Sequence, residues 1–76
     1  MSRDRAGQAP LGATLFLGAD DQRRLGQLPG LVFPPTGVRV QIAGHGTGTV
    51  TGTSLVVDGT ESSVLVWVDL DPGATE

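Results

Sequence analysis

Apolar positions are concentrated in residues 38–70. Val38, Val40 and Ile42 alternate with Arg39 and Gln41, the period-two pattern of a strand with one buried face. Gly44-His45-Gly46 then predicts a turn. Residues 47–57 are rich in threonine and change face partway: Val50 and Val56 share one parity, Leu55 and Val57 the other. A bulge or bend near Gly52-Thr53-Ser54 would reconcile the two halves. Asp58-Gly59 is a hairpin signal, with residues 60–63 read as lengthening its loop. In residues 64–70, Val64, Val66, Val68 and Leu70 take one face, and Leu65, Trp67 and Asp69 the other. A strand apolar on both faces is covered on both. Another subunit, or the segment holding Leu15 and Leu17, is the expected second cover.

The first half of the chain is less regular. Residues 1–13 hold little apolar material and read as a mobile N-terminal arm. Thr14-Leu15-Phe16-Leu17 is a short strand candidate. Asp20 and Asp21 suit the start of a helix, and residues 21–25 are expected to make one or two helical turns ending at Gly26 and Pro29. So short a helix needs Leu25, with Leu28 as a second candidate, to dock it. Pro29-Gly30 predicts a turn, and Pro34 keeps Phe33 extended. Leu31, Val32 and Phe33 are expected to tuck into the core ahead of the stiff Pro34-Pro35 pair. The expected fold class is thus mainly β: a small antiparallel barrel or curled sheet with one short helix. It occupies residues 14–71, and residues 72–76 form a tail.

Composition narrows the possibilities. With 76 residues the chain makes one domain. A domain of this size buries only about 60% of its unfolded surface and is marginal alone. There is no cysteine, so neither a disulfide nor a thiolate metal site can staple it. Small unstapled domains often gain stability by association. The net charge is −3, with residues 1–30 carrying +1 and residues 31–76 carrying −4. An acidic folded part disfavours a phosphate-backbone groove and an anionic membrane surface. No apolar run approaches the roughly 20 residues that span a bilayer. The N-terminal stretch is too broken by Gly, Pro and Gln to read as a signal peptide. A cytoplasmic or virion-borne protein is the expectation.

Residues Gly37-Val38-Arg39-Val40, then Gly46-Thr47-Gly48-Thr49-Val50-Thr51-Gly52, then Val64-Leu65-Val66-Trp67-Val68-Asp69-Leu70-Asp71, together resemble the small SH3-like barrels. KOW-type and CAP-Gly-type modules share this rhythm over about half the chain. The resemblance implies a curled, barrel-like body. The Gly-Lys-Asn-Asp-Gly groove of CAP-Gly domains and the basic residues of RNA-holding KOW modules are absent, so those activities do not carry over. Val32-Phe33-Pro34 also resembles the approach to the barrel in plasmid-type dihydrofolate reductases. Their Val-Gln-Ile-Tyr pore motif is missing: Val40-Gln41-Ile42 is followed by Ala43.

Candidate chemistry is sparse. His45 stands between two glycines with no evident partner to orient it as a base, and reads as an exposed turn residue. The glycines at 44, 46, 48 and 52 precede a strand rather than a helix, unlike a dinucleotide loop; they read as a tight turn and close backbone approach. Asp69 and Asp71 share parity but lack the ligand count of a cation site, and read as solvated charge at a strand end. No cofactor is expected. Trp67 beside Leu65, with Leu15 and Leu17, is the candidate interface. Arg23 and Arg24 are the candidate partner-binding charges. The functional expectation is a non-enzymatic structural or interaction module whose partner is a protein, either itself or a larger assembly such as a virion. A nucleic-acid-binding or regulatory module, and a small oligomeric enzyme of the reductase kind, are the alternatives.

Overall fold

The computed structural model of the chain describes residues 12–72. Five strands form one sheet: β1 (Ala13–Gly18), β2 (Arg24–Pro29), β3 (Arg39–Ile42), β4 (Gly46–Asp58) and β5 (Glu61–Leu70). Their order across the sheet is β2-β1-β5-β4-β3. All neighbours are antiparallel except β1 and β5, which run parallel. The sheet curls into a nearly closed barrel. Its two edge strands come together at a seam, where Gly26 of β2 lies against Ile42 of β3.

The curl follows from the valine alternation. Val64, Val66 and Val68 of β5 are completely buried and pack with Val50 and Leu25; Phe16, Val40, Ile42 and Leu70 complete the cluster from its margins. All but Leu25 lie on the strand faces that the pairing turns inward. At roughly 25 cal/mol per Å², each fully buried valine contributes about 1.5 kcal/mol or more of apolar transfer. Gly48, opposite Leu70, permits a close approach of the strands. A β-carbon there would stand 2.6 Å from Val68 Cγ1 and 2.7 Å from the Asp69 carbonyl oxygen. That is the close backbone approach that the glycine run predicts. Gly52 by contrast has open space around it and adjoins the bulge.

The expected bulge lies between Val50 and Gly52, where Thr51 is the extra residue, one position ahead of the Gly52-Thr53-Ser54 bend. The Asp58-Gly59 signal marks a hairpin, but the loop is shorter than expected. Glu61 already pairs with Asp58, so only Gly59 and Thr60 lie between the strands. Gly59 alone of these two takes a positive φ, at 67°, as the first central residue of a type II′ turn requires.

Two expectations fail. No helix forms at residues 21–25. The chain turns at residues 19–21, Gln22 adopts φ 57°, and β2 begins at Arg24. Asp21 does cap, but it caps a turn: its Oδ1 accepts the Arg23 backbone N–H. The Gln22 and Gly18 backbone N–H groups bond to the carbonyls of Gly18 and Arg23, closing the loop. One or two helical turns satisfy few backbone groups, whereas pairing with β1 satisfies a strand's length of them. Leu25 is buried as its docking role demanded, but Leu28 is exposed. The second failure is the connector. Leu31, Val32 and Phe33 do not tuck into the core; Phe33 is 54% exposed. Thr14 fixes the backbone instead. Its buried hydroxyl donates to the Gly30 carbonyl and accepts the Val32 N–H, both at 2.8 Å. The connector ends where Gly37 N–H meets the Val50 carbonyl on β4.

The N-terminal arm and C-terminal tail lie outside the described residues, except that Gly12 bonds to the Ser62 carbonyl, Ala13 is buried as the first residue of β1, and Pro72 is exposed in a turn. Among the described residues, no helix is long and apolar enough to cross a membrane.

Candidate functional surface

The four residues of the candidate interface come together on the outer face. In the parallel pair, Leu15 stands beside Leu65 and Leu17 beside Trp67. Leu15 is buried, while Leu17, Leu65 and Trp67 are half-buried. None belongs to the valine cluster inside the barrel. They form a second, shallower apolar strip made by alternate residues of β1 and β5. The second cover that β5 was expected to need is thus supplied partly by β1, as its neighbour in the same sheet rather than as a layer above it.

Arg24 starts β2 opposite Leu17 and so flanks this strip. Arg23 sits in the turn before it, its Nε 3.7 Å from Asp21 Oδ2, with both side chains exposed. The two arginines therefore differ. Arg23 serves the β1–β2 turn, and Arg24 borders the apolar strip.

The acidic residues do not assemble. Among the described residues, no three His, Asp or Glu side chains gather as a metal group. Asp69 is exposed on the outer face. Asp71 makes a two-pronged pair with Arg39: Nη1 donates to Oδ1 at 3.0 Å and Nη2 to Oδ2 at 2.6 Å. Arg39 Nη1 also donates to Thr49 Oγ1. The hydrogen bonds from Arg39 hold the Asp71 carboxyl below its ordinary pKa; they outweigh the desolvation that raises it, and the guanidinium charge adds to the lowering. The hydrogen bonds to Asp71, and then its charge, raise Arg39. The ion pair ties β3 to the end of β5 across β4, a stitching role that neither residue's sequence position disclosed. His45 occupies the β3–β4 turn as expected but is half-buried rather than exposed, with its backbone N–H on the Ile42 carbonyl.

Two surface features escape sequence reasoning. The first is a groove of about 520 Å³ along the seam, lined by Phe16, Leu25, Leu28, Val40 and Ile42 and by backbone of β2 and β3. The second is the far half of the β4–β5 hairpin. Leu55, Val56 and Val57 are all exposed there, Val57 by 66%. Past the Thr51 bulge, the inward-facing positions of β4 leave the barrel wall. Leu55 is 52% exposed although its partner Val64 is completely buried. The parity change in residues 50–57 is the available signal, but parity alone does not separate a bend within the barrel from a departure out of it.

No protein-family model, curated protein or solved structure matches this chain.

Proposed function

We propose that this chain is a non-catalytic interaction module of the SH3-like barrel type, which self-associates or docks into a larger protein assembly. One observation carries the reading. A single small domain exposes Leu28, Leu31, Val32, Phe33, Val38, Leu55, Val56 and Val57. An exposed apolar side chain here and there is ordinary, but a concentration of them marks an interaction surface. Here they gather on the connector and the hairpin, and the half-buried strip of Leu17, Leu65 and Trp67 adds to them. The acidic balance and the lone Arg pair at residues 23 and 24 favour a protein partner over nucleic acid.

Light scattering across a concentration series tests this. The expected result is a mass above the monomer that falls on dilution, with Trp67→Ala weakening association by about tenfold, as loss of an interface aromatic does. A monomer at every concentration for both proteins, with the fold intact by circular dichroism, overturns self-association.

A further inference from the structure

We propose that the outer edge of β4 at residues 53–57 is the self-association site, where it forms an antiparallel two-stranded ladder with the same segment of a second copy about a two-fold axis through Leu55. This rests on the self-association reading above and names its contact.

Among the described residues, a strand pairs along the far half of the hairpin on one side only. β1 follows β5 along its length, and Gly12 extends that cover to Ser62 near the tip. On the other side β3 stops early. Its ladder ends at Arg39 opposite Thr49, and Gly37 and Val38 extend it only to Val50. From there to Val57 no described strand pairs with the outer edge of β4. Natural edges are blunted by lysine, proline or an inward charge. Residues 47–57 contain none of these. The bulge at Thr51 sits at the start of the bare stretch, not within it.

The backbone fixes the register. Val50 turns its N–H and C=O towards Val38 and Gly37. The one-residue bulge shifts the alternation, so that past it Thr53, Leu55 and Val57 direct their backbone groups away from β5. A self-ladder needs outward residues opposite outward residues. Leu55 then meets its own copy, and Thr53 meets Val57. The ladder runs from Thr53 to Val57, within the stretch that β3 leaves bare.

Register and side chains favour a second copy of this chain as the occupant. Leu55 and Val57, among the most exposed apolar residues, meet Leu55 and Thr53 of the second copy on one face. On the other face, Ser54 stands beside Leu65 in its own copy and beside Val56 of the second. The outer strips that hold Leu15 and Leu65 thus become continuous across the axis.

The chain has no cysteine, so single cysteines report the register directly. In this ladder the two Cα atoms at position 55 lie about 5.5 Å apart, within disulfide reach. At position 57 they lie about 14 Å apart, outside it. Under mild oxidation Leu55→Cys should form a covalent dimer at least about ten times faster than Val57→Cys. Leu55→Pro, which removes an outward N–H, should give a monomer with an unchanged circular dichroism spectrum. Equal cross-linking rates, or a Leu55→Pro protein of wild-type mass, overturn the β4 edge while scattering still reports a wild-type oligomer. A wild type that is monomeric at all concentrations overturns the edge and the self-association reading together.

Discussion

Gly48 shows how much a single residue decides in a barrel this small. Its missing side chain leaves room for Val68 and the Asp69 backbone. Gly48→Ala places a methyl group against a carbonyl oxygen that a strand pairing holds in place, so relief requires the strands to part. The expected cost is about 1–3 kcal/mol, read as a lowered thermal midpoint. Gly52→Ala, with open space around the new methyl group, should leave the midpoint nearly unchanged and serves as the control. Asp71 adds a pH dependence with a definite sign. Its folded pKa lies below the ordinary carboxylate value because Arg39 donates to it. The stability it contributes is present above the ordinary value and is lost as pH falls through the lowered one. Asp71→Asn should therefore flatten the acid limb of a stability-against-pH curve, and the difference from wild type should shrink in high salt because the pair is exposed. A stability curve of unchanged slope would refute the assignment.

At the scale of elements, the connector between β2 and β3 depends on one hydroxyl. Thr14 is buried on the inner side of β1 and bonds both Gly30 and Val32. Thr14→Val keeps the shape and removes both bonds, leaving a carbonyl and an amide without their partner. The expected loss is about 1–3 kcal/mol, with Val32 amide exchange accelerated beyond that of the strands. Thr14→Ser should retain most of the protection. The hairpin turn likewise depends on one residue. Gly59 holds a positive φ that alanine adopts only under strain, so Gly59→Ala should destabilise the tip by about 1 kcal/mol. The turn that replaces the expected helix has a local cause as well. Asp20 and Asp21 satisfy a helix-start pattern, but the same carboxylate that caps a helix also closes a turn. Which of the two forms depends on whether a strand lies ready to pair with residues 24–29, and β1 does.

At the scale of the molecule, the sheet solves its two edges differently. β2 and β3 meet at the seam, their apolar residues lining a groove rather than forming a ladder. β4 outruns β3, and no described strand pairs with the outer edge of its far half. The principal extents of 41 × 23 × 19 Å suit a barrel with a projecting hairpin. A second copy on that projection lengthens the sheet without disturbing the barrel. Trp67→Ala and Leu55→Pro then separate two contributions: the first thins the outer strip, and the second removes the ladder. The expected ranking places Leu55→Pro as the more severe loss of dimer by light scattering, because it deletes backbone bonds at the axis.

The valine alternation of residues 38–42 and 64–70, the Asp58-Gly59 turn and the bulge near Gly52 were legible because each is a local property: side-chain parity, one dihedral angle, one extra residue. The strip of Leu15, Leu17, Leu65 and Trp67 was legible as a set of residues but not as an arrangement, because adjacency of β1 and β5 is a long-range pairing that periodicity does not encode. Only the tertiary structure decided that residues 24–29 are a strand, that Phe33 stays outside, and that Arg39 reaches Asp71. For Phe33 and Arg39 the deciding partner lies far along the chain, and for residues 24–29 it is the neighbouring strand β1; in each case its hydrogen bonds outweigh the weak local preferences of a short segment.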